Sequence, residues 1–286
     1  MKSIASRIYL ALVLLIAALP LSPVGAQQPT PQAPRDVVVV GQRLKDALRH
    51  FVDSVTEAGP TDQLARWYQQ FCPQVIGIDA AQAEFMTRRI GEIGKSVHLR
   101  TGRTTCPTML TIVFTPDAAG LANAVASDFP SDNWKVRALL KGFVDSTRPV
   151  RWISLVDECG GGCGLPNSRL AKPTSPTLQA MLIIVDANKI AGFSLGAMSD
   201  YVGLVALSNP PLTGTPPASS ILSLFTASRA SGSNLQLTDY DLSFLGGLYG
   251  VRLNLDAETQ RTAIAGQMNS ELRRRSRQPS ETAPQH

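Results

Sequence analysis

Apolar residues at Leu44, Ala47, Leu48, Phe51, Val52 and Val55 recur at the spacing of one helix face, and Gly59-Pro60 stops the run. Before it, Asp36-Val37-Val38-Val39-Val40-Gly41 is a short β-prone segment. A β-α-β pattern follows. Cys72-Pro73-Gln74-Val75-Ile76-Gly77-Ile78 predicts a strand, and Asp79 caps a helix from about Ala80 to Gly94 with Phe85, Ile90 and Ile93 facing inward. Cys106 to Thr115 is a strand apolar on both faces, as in a sheet covered by helices. Asp117 opens a helix to about Ser127, and Val136 to Phe143 predicts another.

The second half alternates in the same way. Val150 to Val156 and Gln179 to Asp186 predict strands, separated by the Cys159–Cys163 glycine loop and a loop from Pro166 to Pro176. Ser194 to Leu207 is a strongly apolar helix, Ser220 to Phe225 a short apolar piece, and Thr238 to Tyr249 a capped helix. The chain from residue 256 onward reads as a polar, Arg-rich tail, disordered from about Arg275. The expectation is one α/β domain over 43–255, with a mixed sheet flanked by helices.

The N-terminus changes the compartment. Lys2 and Arg7 precede an apolar run from Ile8 to Leu21, and Val24-Gly25-Ala26 supplies the small residues of a cleavage site. A signal peptide cut after Ala26 is expected, then a flexible leader over 27–42, with the mature chain periplasmic or secreted. The apolar run is short for a membrane span, so no stable membrane insertion is expected. Four cysteines in an exported chain favour two disulfides. Of the three pairings, Cys72–Cys106 with Cys159–Cys163 is preferred, because the glycines let the second close a tight loop.

Charge excludes one class of partner. The 27 basic and 22 acidic residues become 25 and 22 without Lys2 and Arg7. The segment from Glu271 onward holds four arginines and two glutamates, so the body is nearly neutral and no nucleic-acid partner is implied. Gly160-Gly161-Gly162 lacks the Lys-Ser/Thr of a phosphate loop, Phe193-Ser194-Leu195-Gly196 is not a nucleophile elbow, and no cofactor is implied.

One constellation carries a resemblance. Strand Met181–Asp186, helix Ser194–Leu207, Ser220-Ile221-Leu222, then Leu237-Thr238-Asp239-Tyr240-Asp241 with Leu248-Tyr249-Gly250 follow the order of the catalytic half of zincin metalloproteases of the matrixin type. The resemblance implies a zincin-like fold. It lays Ser199-Asp200-Tyr201-Val202-Gly203 on HExxH, Asn209 on the third histidine, and Leu222 on the methionine of the turn. Serine and glycine are poor zinc ligands, and the three histidines, His50, His98 and His286, lie elsewhere. Of the motif's chemistry only Asp200 keeps an acid, at the general-base position. The resemblance thus implies a metal-free scaffold, a non-catalytic binding protein whose cleft holds a peptide or is filled by side chains.

A second resemblance covers most of the chain. Cys72-Pro73-Gln74-Val75-Ile76-Gly77, Cys106 and Ser199-Asp200-Tyr201-Val202 are similar to segments of uncharacterised exported bacterial proteins, which bring no activity with them. Two rival readings stay open. Asp200, Asp157 and Glu158 could form a relocated acidic site of a hydrolase. Asp36 to Arg43 resembles the TonB box of outer-membrane receptors and could add a strand to an envelope partner.

Overall fold

A computed structural model describes residues 35–59, 61–102, 106, 108–166, 168, 171–226 and 235–277, with side chains from Gln42 onward. The proposed signal peptide and most of the leader lie outside the described residues.

The elements are α1 (Arg35–Val55), β1 (Phe71–Ile76), α2 (Ala80–Ser96), β2 (Thr108–Thr115), α3 (Ala118–Asp128) and α4 (Trp134–Asp145). Then come β3 (Val150–Asp157), β4 (Thr177–Asp186), α5 (Leu195–Ser208), a short 3-10 helix η1 (Ile221–Phe225), α6 (Asp239–Gly250) and α7 (Ala257–Arg277).

The four strands form one mixed sheet in the order β1-β2-β4-β3. β1, β2 and β4 run parallel, and β3 runs antiparallel to β4. Pro73 sits in β1, an edge strand, where its missing N–H costs no ladder bond. The pleat divides the core. Ile183 and Val185 of β4 point into the larger cluster with α1, α2, α5 and α6, whereas Leu182 and Ile184 point into a smaller one with Ala118, Ala122 and Phe143 of α3 and α4. The sheet is therefore covered by helices on both faces, as the doubly apolar strands required.

Two disulfides are formed, Cys72–Cys106 and Cys159–Cys163, with Cα separations of 5.6 and 5.0 Å. The first joins β1 to the approach to β2. Among the described residues no helix is long and apolar enough to cross a membrane.

Helix starts follow the expected caps. Asp79, Asp117 and Ser194 each accept a backbone amide of the first turn. Thr238 and Asp241 form a reciprocal capping box on α6.

Three expectations are corrected. The segment Asp36–Gly41 is not a strand but the first turns of α1. Val37, Val40, Leu44, Leu48, Phe51 and Val55 continue one helical spacing, and extending an existing helix needs no new nucleus. The chain after residue 256 is not a tail but α7, with Ala257, Gln260, Ile264 and Met268 buried. Its buried stripe is narrow and includes the polar Gln260, so the high polarity of the segment hid it. In α2 the inward residue beside Ile90 and Ile93 is Met86, and Phe85 is only half-buried.

Candidate functional site

α5 is buried along its whole length from Ala197 to Ser208. This fits a sequence apolar on every side. Its polar residues are tied up internally. Ser199 Oγ donates to the Leu195 carbonyl at 2.7 Å, the usual back-bond of a mid-helix serine. Asp200 is 1% exposed and accepts from Arg89 Nε at 2.6 Å and from the Leu237 amide at 2.9 Å. The Asp200 carboxylate holds the Arg89 guanidinium above its ordinary pKa. Tyr201 is buried against Phe225, with ring centroids 4.9 Å apart, and burial pushes its hydroxyl up to about 12.

The remaining motif positions are packing and backbone positions. Gly203 faces α2, where an added Cβ would lie 2.5 Å from Ile93 Cδ1. Asn209 ends α5 in the left-handed conformation at φ 45°, its amide donating to Val205. Leu222 is buried in η1, whose start is fixed by a buried carboxylate. Asp241 accepts from Ser220 Oγ at 2.6 Å and from the Ile221 amide at 2.9 Å. Burial pushes the Asp241 carboxyl up, against these hydrogen bonds.

The three candidate acids are not brought to one cleft. Asp157, at the end of β3, accepts the amides of Cys159 and Gly160 at 3.0 and 3.2 Å and holds the glycine loop. Glu158 faces Thr61, whose hydroxyl is 3.3 Å away, and partial burial raises its pKa. Asp200 lies in its ion pair with Arg89 on α2. Among the described residues no three His, Cys, Asp or Glu side chains are grouped as a metal site needs. His50 and His98 are exposed and apart from α5, and His286 lies outside the described residues.

An open recess lies elsewhere, beside the glycine loop. It is a groove of about 670 Å³ lined by residues including Tyr68, Gln69, Asp157, Gln179, Arg252 and Asn254. Its walls are three chain segments locked together by two buried amides. Gln63 Nε2 donates to the Thr174 and Leu253 carbonyls at 3.0 and 2.7 Å. Gln260 Nε2 donates to the Arg252 carbonyl at 2.9 Å, while its oxygen accepts the Leu64 amide at 2.8 Å. The glycine loop abuts the same wall, because Gly162 lies where a Cβ would be 1.9 Å from the Pro173 carbonyl oxygen.

Arg66 lies between these walls. Its backbone bridges Thr177, and its guanidinium donates to the Val251 carbonyl. It is 5% exposed, and among the described residues it has no carboxylate partner and its Nη1 has no hydrogen-bond acceptor. Burial lowers its pKa to about 10. Sequence reasoning missed Gln63, Arg66 and Gln260. Their burial depends on contacts between segments some 190 residues apart, such as Gln63 with Leu253. Only the periodicity of Gln260 with Ile264 gave a local signal.

Compared with known proteins, the chain matches no family model, no curated protein and no solved structure.

Proposed function

We propose that the chain is an exported, non-catalytic binding protein on a zincin-like frame whose former catalytic positions have become packing. The observation that carries this reading is the commitment of Asp200, the one acid at a motif position, to Arg89 and the Leu237 amide. A carboxylate fixed in a buried ion pair has no water to activate. The order of β4, buried α5, η1 and α6 supports the frame. Two disulfides support a compartment outside the cytoplasm. The groove beside the glycine loop is the recess open to a ligand.

The test is metal content by mass spectrometry, with a casein hydrolysis assay, on protein purified from the periplasm without chelators. Zinc far below one per chain and no hydrolysis are expected. Stoichiometric zinc, with hydrolysis abolished by Asp200→Asn, would overturn the reading. N-terminal sequencing of the same sample should begin at Gln27 if the signal peptide is cut after Ala26.

A further inference from the structure

We infer that the groove beside the glycine loop binds an oligosaccharide bearing a carboxylate, an inference that rests on the binding-protein reading above.

The volume of about 670 Å³ lies within the range of small-ligand sites. The lining mixes polar and apolar surface in about equal parts, with Tyr68 and Leu253 beside Gln69, Gln179, Arg252 and Asn254. The Tyr68 side chain is 72% exposed and offers a free ring face. The side chains of Gln69, Arg252 and Asn254 make no hydrogen bond with any described residue, so amide and guanidinium groups are open to a ligand. A flat aromatic face beside planar amides suits the C–H faces and hydroxyls of a sugar ring.

A peptide added as a strand does not fit here. Thr177, in the groove wall, already pairs with Asp157 on one side and bridges Arg66 on the other. No strand edge is left free at that point, and strand addition requires one.

The charge sets the sign of the ligand. Asp157 contributes one negative charge, and its Oδ1 is occupied by two amides. Against it stands Arg252 in the lining, which, like the buried Arg66 behind it, has no carboxylate partner among the described residues. A ligand carboxylate on the free Arg252 guanidinium would form a charge-assisted, bidentate pair. The walls need no rearrangement, because Gln63 and Gln260 already hold them.

Isothermal titration on the full, disulfide-bonded protein tests this, using galacturonate, glucuronate and mannuronate oligomers and their neutral methyl esters as probes. At least one acidic oligomer should bind, with affinity falling as salt rises. Arg252→Gln and Tyr68→Ala, both at exposed side chains, should each weaken it about tenfold or more while circular dichroism stays unchanged. Equal binding of the methyl ester would overturn the carboxylate assignment, and preferential binding of oligoglutamate would overturn the saccharide. Absence of binding, or binding unchanged in both variants, would overturn the site and leave the proposed function intact. Mass spectrometry of the titrated oligomer separates the two ideas further. A bound oligomer that is also cleaved would overturn the non-catalytic reading and leave the site standing.

Discussion

Arg89 on α2 and Asp200 on α5 form an ion pair at 2.6 Å across the contact between the two helices, and the Asp200 side chain is only 2% exposed. Among the described residues, removing Arg89 leaves that carboxylate with the Leu237 amide as its partner. Arg89→Ala should destabilise by roughly 3 kcal/mol, and Asp200→Asn added to it should recover part of the loss. Urea midpoints of the single and double variants measure this. An Arg89→Ala variant as stable as the parent would show that the pair is not structural.

The Gly203–Ile93 contact gives a test of sign. Alanine in a helix interior is favoured over glycine by about 1 kcal/mol, but overpacking costs about 1–3 kcal/mol. A Cβ 2.5 Å from Ile93 Cδ1 makes the clash dominant, so Gly203→Ala should destabilise. In an Ile93→Val background, where Cδ1 is gone, the same change should stabilise. A double-mutant cycle checks it, and a negligible coupling would refute the contact.

The disulfides should differ in worth and in accessibility. Cys72–Cys106 spans a sequence separation of 34 and Cys72 is buried, whereas Cys159–Cys163 spans 4 and is more exposed. Loop-closure entropy makes the first worth roughly 4 kcal/mol and the second roughly 2 kcal/mol. Under limiting dithiothreitol, alkylation followed by peptide mapping should label Cys159 and Cys163 before Cys72 and Cys106.

Glu158 predicts a pH dependence. Partial burial raises its folded-state pKa above the ordinary value of 4.5. A raised carboxyl pKa means that the folded chain holds the proton more tightly than the unfolded one. Its stabilising contribution is therefore full below 4.5 and is lost as pH rises through the folded pKa. The parent should lose stability relative to Glu158→Gln on going from acid to neutral pH. Urea midpoints across that range check it, and a difference independent of pH would refute it.

Gln260 holds two groove walls with one buried amide. Gln260→Leu removes the acceptor of the Leu64 amide and the donor to Arg252 and leaves buried backbone groups unpaired. A loss of about 2–3 kcal/mol is expected, with faster amide exchange at Leu64. Native exchange at Leu64 would contradict this placement.

Much of the architecture was legible in the chain. The apolar run from Cys106 to Thr115 announced a sheet covered on both faces, Gln179 to Asp186 marked a further strand, and Asp79, Asp117, Ser194 and Thr238 marked helix starts. These signals are local: residue type, spacing and caps act within one or two turns. The run Asp36–Gly41 and the helix α7 were misread because β-branched composition in one, and polarity in the other, outweighed a sparse helical period. Tertiary structure alone decided the rest. It paired Asp200 with Arg89, placed Glu158 against Thr61 and away from Asp200, and joined Gln63, Arg66 and Gln260 into the groove walls. Charge pairing and burial depend on which distant segments meet, and single-chain periodicity carries no record of that meeting.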